Sequence, residues 1–294
     1  MPWESHKLND GSEIPGIAFG TWKLGQGEGP TNRIGQAVSL GFTHVDTAQL
    51  YRNETEAGNA IRASGLARED IFLTTKYWGT NGLDIPTSIR NSLEYLGMSY
   101  VDLYLIHSPR LAVPDIPTAW KEMEQIKAEG LAKSIGVSNF TANDLAILLK
   151  SAKVKPAVDQ VLLHPYVYAD QRPLLEYAAQ HQIVIEAYSA LTPITHLRGG
   201  PLDAPLAAIS KRLGATADQV LLAWTKAKGT VVITMSSKIT RLEGYLEAGN
   251  LTLTEEDMKT IEVAGAQGRP LVPAHIWKRV LGEPSFKHIL SNTQ

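Results

Sequence analysis

The sequence predicts an α/β fold, a (β/α)8 barrel, on three observations. Short runs rich in β-branched and aromatic residues alternate with longer segments of helical periodicity along the whole chain. There are eight such runs, the number a closed barrel of parallel strands needs. Several are apolar almost throughout, as in Val101-Asp102-Leu103-Tyr104-Leu105-Ile106, which suits strands covered on both faces. No break in composition divides the chain, so residues 1–294 read as one domain of a size barrels commonly reach. An open doubly wound sheet would share the alternation, because periodicity does not report closure.

Taken in order, residues 7–14 read as a hairpin around Asp10-Gly11, placed to cap the base of a barrel. The first strand covers 16–21. After it, Gly25-Gln26-Gly27-Glu28-Gly29-Pro30 lacks the third glycine of a dinucleotide fingerprint and reads as a flexible loop. Ile34, Ala37 and Val38 then recur at helical spacing, with Gly41 as terminator. Strands follow at 43–47 and 71–76. Pro86-Thr87 opens a helix carrying Ile89, Leu93 and Leu96, which ends at Gly97. Strand 101–107 precedes a helix with Ala119, Met123 and Ile126, and strand 132–138 precedes one that opens at Thr141-Ala142-Asn143-Asp144 and carries Leu145, Leu148 and Leu149. Strand 157–162, a helix with Leu174, Leu175 and Ala178, strand 183–189, a helix with Val220, Leu221 and Trp224, and strand 230–234 complete the alternation. From Gly268 the tail is rich in Pro, Trp, Phe and His without a period, and reads as a loop lying over a site.

Composition narrows the chemistry. With 44% hydrophobic residues the chain can bury a large core without staples. It has no cysteine, which excludes disulfides, thiolate metal sites and a thiol nucleophile and fits a reducing compartment. A net charge of −2 offers no basic excess for a phosphate backbone, so no nucleic-acid partner is expected. The first seven residues have no apolar core, and no 18-residue apolar stretch exists. The expectation is therefore no signal peptide, no membrane partner and a cytoplasmic location, as a monomer or weak homodimer.

In a barrel, the carboxyl ends of the strands build the site. Here strand two ends in Asp46 with Tyr51 just beyond it, strand three in Lys76 and strand four in His107. Each alone reads as a turn, a packing residue or a rim charge. Together they place an acid, a phenol, an amine and an imidazole at one rim. The ammonium of Lys76, held by Asp46, would lower the tyrosine pKa from its ordinary value of about 10. His107 would donate a hydrogen bond to a carbonyl oxygen. That set suits protonation of a developing alkoxide, the step carbonyl reduction requires.

These positions carry a resemblance. Gly41-Phe42-Thr43-His44-Val45-Asp46-Thr47-Ala48, with Tyr51 and Asn53-Glu54 following, is similar to the second-strand signature of the aldo-keto reductases. Thr74-Thr75-Lys76-Tyr77-Trp78, Leu103-Tyr104-Leu105-Ile106-His107-Ser108-Pro109, Gly136-Val137-Ser138-Asn139-Phe140 and Tyr188-Ser189-Ala190-Leu191 resemble later strand ends, in order, from Leu8 to about Pro270. The resemblance implies a catalytic tetrad of Asp46, Tyr51, Lys76 and His107, and a nicotinamide dinucleotide that delivers hydride to a small carbonyl substrate without a metal. It implies that Ser138, Asn139 and Gln160 hold the carboxamide, that Tyr188 stacks under the nicotinamide ring, and that Thr21, Trp22, Ser189 and Leu191 line the cofactor channel.

Three departures from the family pattern stand out. The strand-eight region reads Ile233-Thr234-Met235-Ser236-Ser237-Lys238, followed by Arg241, with Met235 where relatives carry lysine. Lys238 and Arg241, with the hydroxyls of Ser236 and Ser237, would then meet a 2′-phosphate at a helix N-terminus. A Ser-Ser-Lys arrangement is similar to that of a fungal branch that includes conjugated polyketone reductases, which implies NADP(H) over NAD. The adenine-holding Glu-Asn is absent, leaving Tyr245 as the candidate to stack or hydrogen-bond there. Ser108 replaces a tryptophan common after the histidine, widening the pocket for bulky or cyclic ketones. Trp22, Tyr51, Trp78, His107 and Ser108 are the candidate substrate contacts, with Pro273, His275 and Trp277 as tail walls. Two other readings compete with a reductase. One is a non-enzymatic, cofactor-sensing subunit on the same fold. The other is a metal-dependent hydrolase using His44 and Asp46, which lacks further histidine ligands in the sequence.

Overall fold

The computed structural model describes residues 2–268. Eight strands close into one parallel barrel: β3 (Ile17–Gly20), β4 (His44–Asp46), β5 (Phe72–Tyr77), β6 (Val101–Ile106), β7 (Ala132–Ser138), β8 (Val158–Leu162), β9 (Val184–Tyr188) and β10 (Val231–Thr234). Each pairs with the next, and β10 returns to β3 with Val232 opposite Ile17. Closure rules out the open sheet. The seven residues of Ala132–Ser138 match the predicted strand, and the others differ from expectation at their ends.

Ahead of the barrel, β1 (His6–Lys7) and β2 (Glu13–Ile14) form the expected antiparallel hairpin. Leu8 and Ile14 are buried against Leu103, Leu105, Val158 and Val231, so the hairpin plugs the base with apolar side chains. Asp10 ties it down: its Oδ2 accepts from Lys127 Nζ at 2.7 Å and from Ser134 Oγ at 2.8 Å.

Eleven helices lie among the described residues: α1 (Glu28–Leu40), α2 (Glu54–Ala63), α3 (Ile85–Leu96), α4 (Ile116–Ala128), α5 (Ala142–Leu149), α6 (Tyr168–Gln180), α7 (Thr192–Thr195), α8 (Asp203–Leu213), α9 (Ala217–Ala227), α10 (Ile239–Glu247) and α11 (Glu255–Ala266). Helix α3 shows why the local sequence is helical. The Asp84 side chain accepts from Thr87 N, Pro86 sits in the first turn, Ile85, Ile89, Leu93 and Leu96 are buried, and Gly97 ends the helix at φ 62°. Thr141 and Asp144 cap each other across the first turn of α5.

One local expectation fails. Glu28, Gly29 and Pro30 belong to α1 rather than to a flexible loop. A first-turn proline has no amide hydrogen to leave unpaired, so it is compatible with a helix start. No described helix is long and apolar enough to cross a membrane.

Candidate active site

Alternation decides which side chains meet. Residues two apart on a strand share a face, so His44 and Asp46 of β4, Thr74 and Lys76 of β5, and Glu186 and Tyr188 of β9 project together. Asp46, Lys76, Gln160 and Glu186 are all buried in the barrel interior.

Lys76 is fully buried, and its Nζ donates to both Asp46 carboxylate oxygens at 2.7 Å and to the Thr47 carbonyl at 2.9 Å. All three ammonium hydrogens have acceptors, which a buried charge requires. The carboxylate is held from its other side by Gln160 Nε2, which donates to Asp46 Oδ2 and to Glu186 Oε2, each at 2.9 Å.

Tyr51 sits at the end of a short 3-10 turn, Gln49–Tyr51, directly after β4. Its ring centroid is 5.1 Å from Lys76 Nζ and 5.7 Å from the His107 ring, edge to face. Trp78 contributes a second edge contact to His107 at 5.1 Å. The four predicted groups therefore stand at one rim.

The electrostatics correct one expectation. Tyr51 is pushed well above its ordinary value, by burial first and then by the charges of Asp46 and Glu186. Lys76 does not bring the phenol down, because Asp46 neutralises it at contact distance and a second carboxyl stands nearby. The tyrosine is thus a neutral hydroxyl, a proton donor in its resting form. His107 is held well below the ordinary imidazole value by burial and by the positive charges of Lys76 and Arg110, so it is a neutral ring.

Around these groups, Asn139 bridges strand ends. Its Nδ2 donates to the His107 carbonyl and to Ser138 Oγ, both at 3.0 Å, while its Oδ1 accepts from Tyr188 Oη at 2.8 Å. Ser138 Oγ donates to the Gln160 carbonyl at 2.8 Å. Asn139 and Ser189 both adopt φ 61°, a left-handed conformation that costs a non-glycine residue about 1 kcal/mol or more and recurs at functional sites. Thr21 is fully buried, with its hydroxyl donating to Asn53 Oδ1 at 3.1 Å. Trp22 is 37% exposed at the mouth, Trp78 and Leu191 are half-buried, and Ser108 is buried beside His107. The tail residues Pro273, His275 and Trp277 lie outside the described residues.

The region after β10 fits a phosphate-bearing dinucleotide in its donor set. Ser237, Lys238 and Arg241 are exposed around the start of α10, whose first amides are free to face an anion. Ser236 is turned inward instead, and its Oγ accepts from Lys238 N at 3.1 Å. Tyr245 is a correction. The residue is buried in the main core, its hydroxyl is engaged with Ser236, and burial pushes it up to about 12, so it does not stand open to a base.

Sequence reasoning missed two residues. Asn53 Nδ2 donates to the Thr21 carbonyl at 2.8 Å and its Oδ1 accepts from Thr21 and Thr47, joining the loops after β3 and β4. Glu186 lies inside a strand that is otherwise largely apolar. The signal for it was present: a lone carboxylate two residues before Tyr188, in a run otherwise fit for burial.

The comparisons agree with this architecture. The Aldo/keto reductase family model matches residues 16–265. An NAD/NADP-dependent indole-3-acetaldehyde reductase of Schizosaccharomyces pombe is 35% identical, with 86% of this chain and 92% of the relative covered. An aldehyde reductase of Saccharomyces cerevisiae is 35% identical, covering 87% and 88%. A crystal structure of an aldo/keto reductase from Brucella melitensis superposes with a TM-score of 0.80 at 35% identity, covering 89% of this chain and 99% of that one. With a closed parallel barrel, an Asp–Lys pair beneath a tyrosine at its rim, and a family match over nearly all the described residues, the chain belongs to the aldo/keto reductase family.

Proposed function

We propose that the protein is an NADPH-dependent reductase of aldehydes and ketones in which Tyr51 supplies the proton to the carbonyl oxygen. Family membership supports carbonyl reduction with a nicotinamide cofactor. The observation that carries the residue roles is the buried Lys76 ammonium, fixed by two 2.7 Å bonds to Asp46 and lying under the Tyr51 ring beside His107. When bound, the cofactor supplies hydride to the carbonyl carbon. Ser138, Asn139, Gln160, Tyr188, Ser189 and Leu191 would hold its nicotinamide end, and Ser237, Lys238 and Arg241 its phosphates, with Ser236 bracing the turn.

In the reaction, charge builds on the carbonyl oxygen as hydride arrives. Tyr51 gives up its proton to that oxygen, and the Lys76 ammonium, already paired with Asp46, offsets only part of the cost of the phenolate left behind. Asp46 keeps that ammonium in place. His107, neutral, orients the substrate oxygen by a hydrogen bond and adds no competing acid. Ser108, in place of a larger side chain, leaves room beside His107 for bulky or cyclic ketones.

The test is loss of reduced-nicotinamide absorbance with a panel of small and bulky carbonyl compounds, run with NADPH and NADH. Tyr51→Phe is expected to lower kcat by about a hundred- to ten-thousand-fold, the range of a general acid, while NADPH binding by fluorescence stays within about threefold. A variant that keeps wild-type kcat would remove Tyr51 from the role.

A further inference from the structure

The barrel interior holds ionisable groups that the proposed reduction does not use, His44 and Glu186 among them. Glu186, on β9, is fully buried. Its Oε2 accepts from Gln160 Nε2 at 2.9 Å, and the same amide nitrogen serves Asp46. Its Oε1 has no hydrogen-bond partner among the described residues and lies 3.8 Å from His44 Nε2, which is engaged with Thr74 Oγ1 at 2.9 Å.

We propose that Glu186 is a positioning residue for the reduction argued above: through the shared Gln160 amide its carboxyl steadies Asp46 against Lys76, and losing its proton in alkaline solution weakens Tyr51 as a donor. The inference rests on the proposed function for its consequence, but on the interior geometry for its origin.

Count the charges that face Glu186. From β4 come His44 and Asp46, with Tyr51 just beyond. From β5 comes Lys76. Strand β8 contributes the neutral Gln160, and β10 (Val231–Thr234) and β3 (Ile17–Gly20) contribute no titratable group. Asp46 and Lys76 cancel one another. His44 is neutral, since burial and the Lys76 charge push it down to about 3. An ionised Glu186 would therefore be a buried anion without a cation of its own, so the carboxyl keeps its proton past neutrality. Burial, with the Asp46 charge added to it, raises it to about 8. Once it ionises, a second negative charge faces the phenol, whose own shift already carries a contribution from Glu186. A phenol that is harder to deprotonate transfers its proton more slowly.

Glu186→Gln tests this, because the amide keeps an acceptor for Gln160 and can never ionise. Wild type is expected to lose reductase kcat as pH rises from about 7 to about 9.5, and Glu186→Gln to match wild type within about threefold at about pH 7 while its decline moves up by about one pH unit or more. Identical declines in the two proteins would overturn the proposal. So would a folded Glu186→Gln that has lost more than about tenfold at pH 7, since the amide mimics the protonated carboxyl. A second measurement needs no turnover. The infrared difference between wild type and Glu186→Gln, without cofactor, is expected to show a protonated carboxyl band that vanishes on the alkaline side of neutrality, and its absence at pH 7 would overturn the proposal as well. A wild type silent toward every carbonyl would overturn the reading of function together with this one, whereas an active wild type whose decline is unchanged in Glu186→Gln overturns this one alone.

Discussion

Asn53 has a fully buried amide whose bonds fasten two loops that border the candidate site; the second-strand signature includes the residue but does not announce those bonds. Asp46, Lys76 and His107 were legible because each ends a run that reads as a strand, and a strand end in a barrel points at the site. Glu186 was harder. A residue inside a strand has two faces to choose from, and a fully buried strand lacks the polar alternation that would reveal which one looks inward. The cation cluster after β10 is a residue-scale case with a direct test. Lys238 and Arg241 are exposed and flank one helix start, so together they would meet a phosphate rather than a ring. Lys238→Ala with Arg241→Ala is expected to raise KM for NADPH by about ten- to hundredfold, as loss of charge-assisted bonds does, and KM for NADH by less than about threefold. Equal effects on the two cofactors, in initial-rate measurements, would detach these side chains from the 2′-phosphate.

At the scale of elements, the helices read from sequence are those with large apolar residues at regular spacing, such as α3 and α9. Helix α2 shows in the sequence only through its glycine terminator, Gly65, because its buried face is made largely of small residues, Ala57, Gly58 and Ala60, with Ile61. Small residues give little periodic signal, yet they let helices approach closely. Gly58 is the extreme point: a Cβ there would fall 2.0 Å from the Leu96 carbonyl oxygen, an atom that also accepts from Arg62. Helix propensity alone predicts that Gly58→Ala stabilises by about 1 kcal/mol. The contact predicts the opposite. Overpacking costs about 1–3 kcal/mol, more where the opposing atom is backbone, so the net expectation is a destabilised protein. Urea unfolding of the variant checks the sign, and a raised midpoint would mean that α2 and α3 separate freely.

Across the whole molecule, the barrel was legible because eight alternations are hard to satisfy otherwise, whereas its closure was not, since hydrogen bonding between first and last strands leaves no local mark. The interior also makes stability depend on acid. His44 is fully buried and neutral, lowered to about 3 from an ordinary 6.5 by burial first and then by Lys76. The unfolded chain binds this proton below pH 6.5 and the folded chain does not, so the stability owed to a neutral His44 is complete above 6.5 and drains away as pH falls toward 3. Between about pH 7 and pH 5 this amounts to about 2 kcal/mol. His44→Gln is expected to be less stable at neutral pH but to lose about that much less on acidification, measured by chemical unfolding at both pH values. The seam where Val232 meets Ile17 bears on biosynthesis too. As the chain leaves the ribosome, β3 and β9 each present an open row of amides and carbonyls until residues 231–234 emerge. A nascent chain halted before that point carries two unsatisfied edges and is a candidate for chaperone capture or clumping, and release of the last strand is the event that retires both hazards at once.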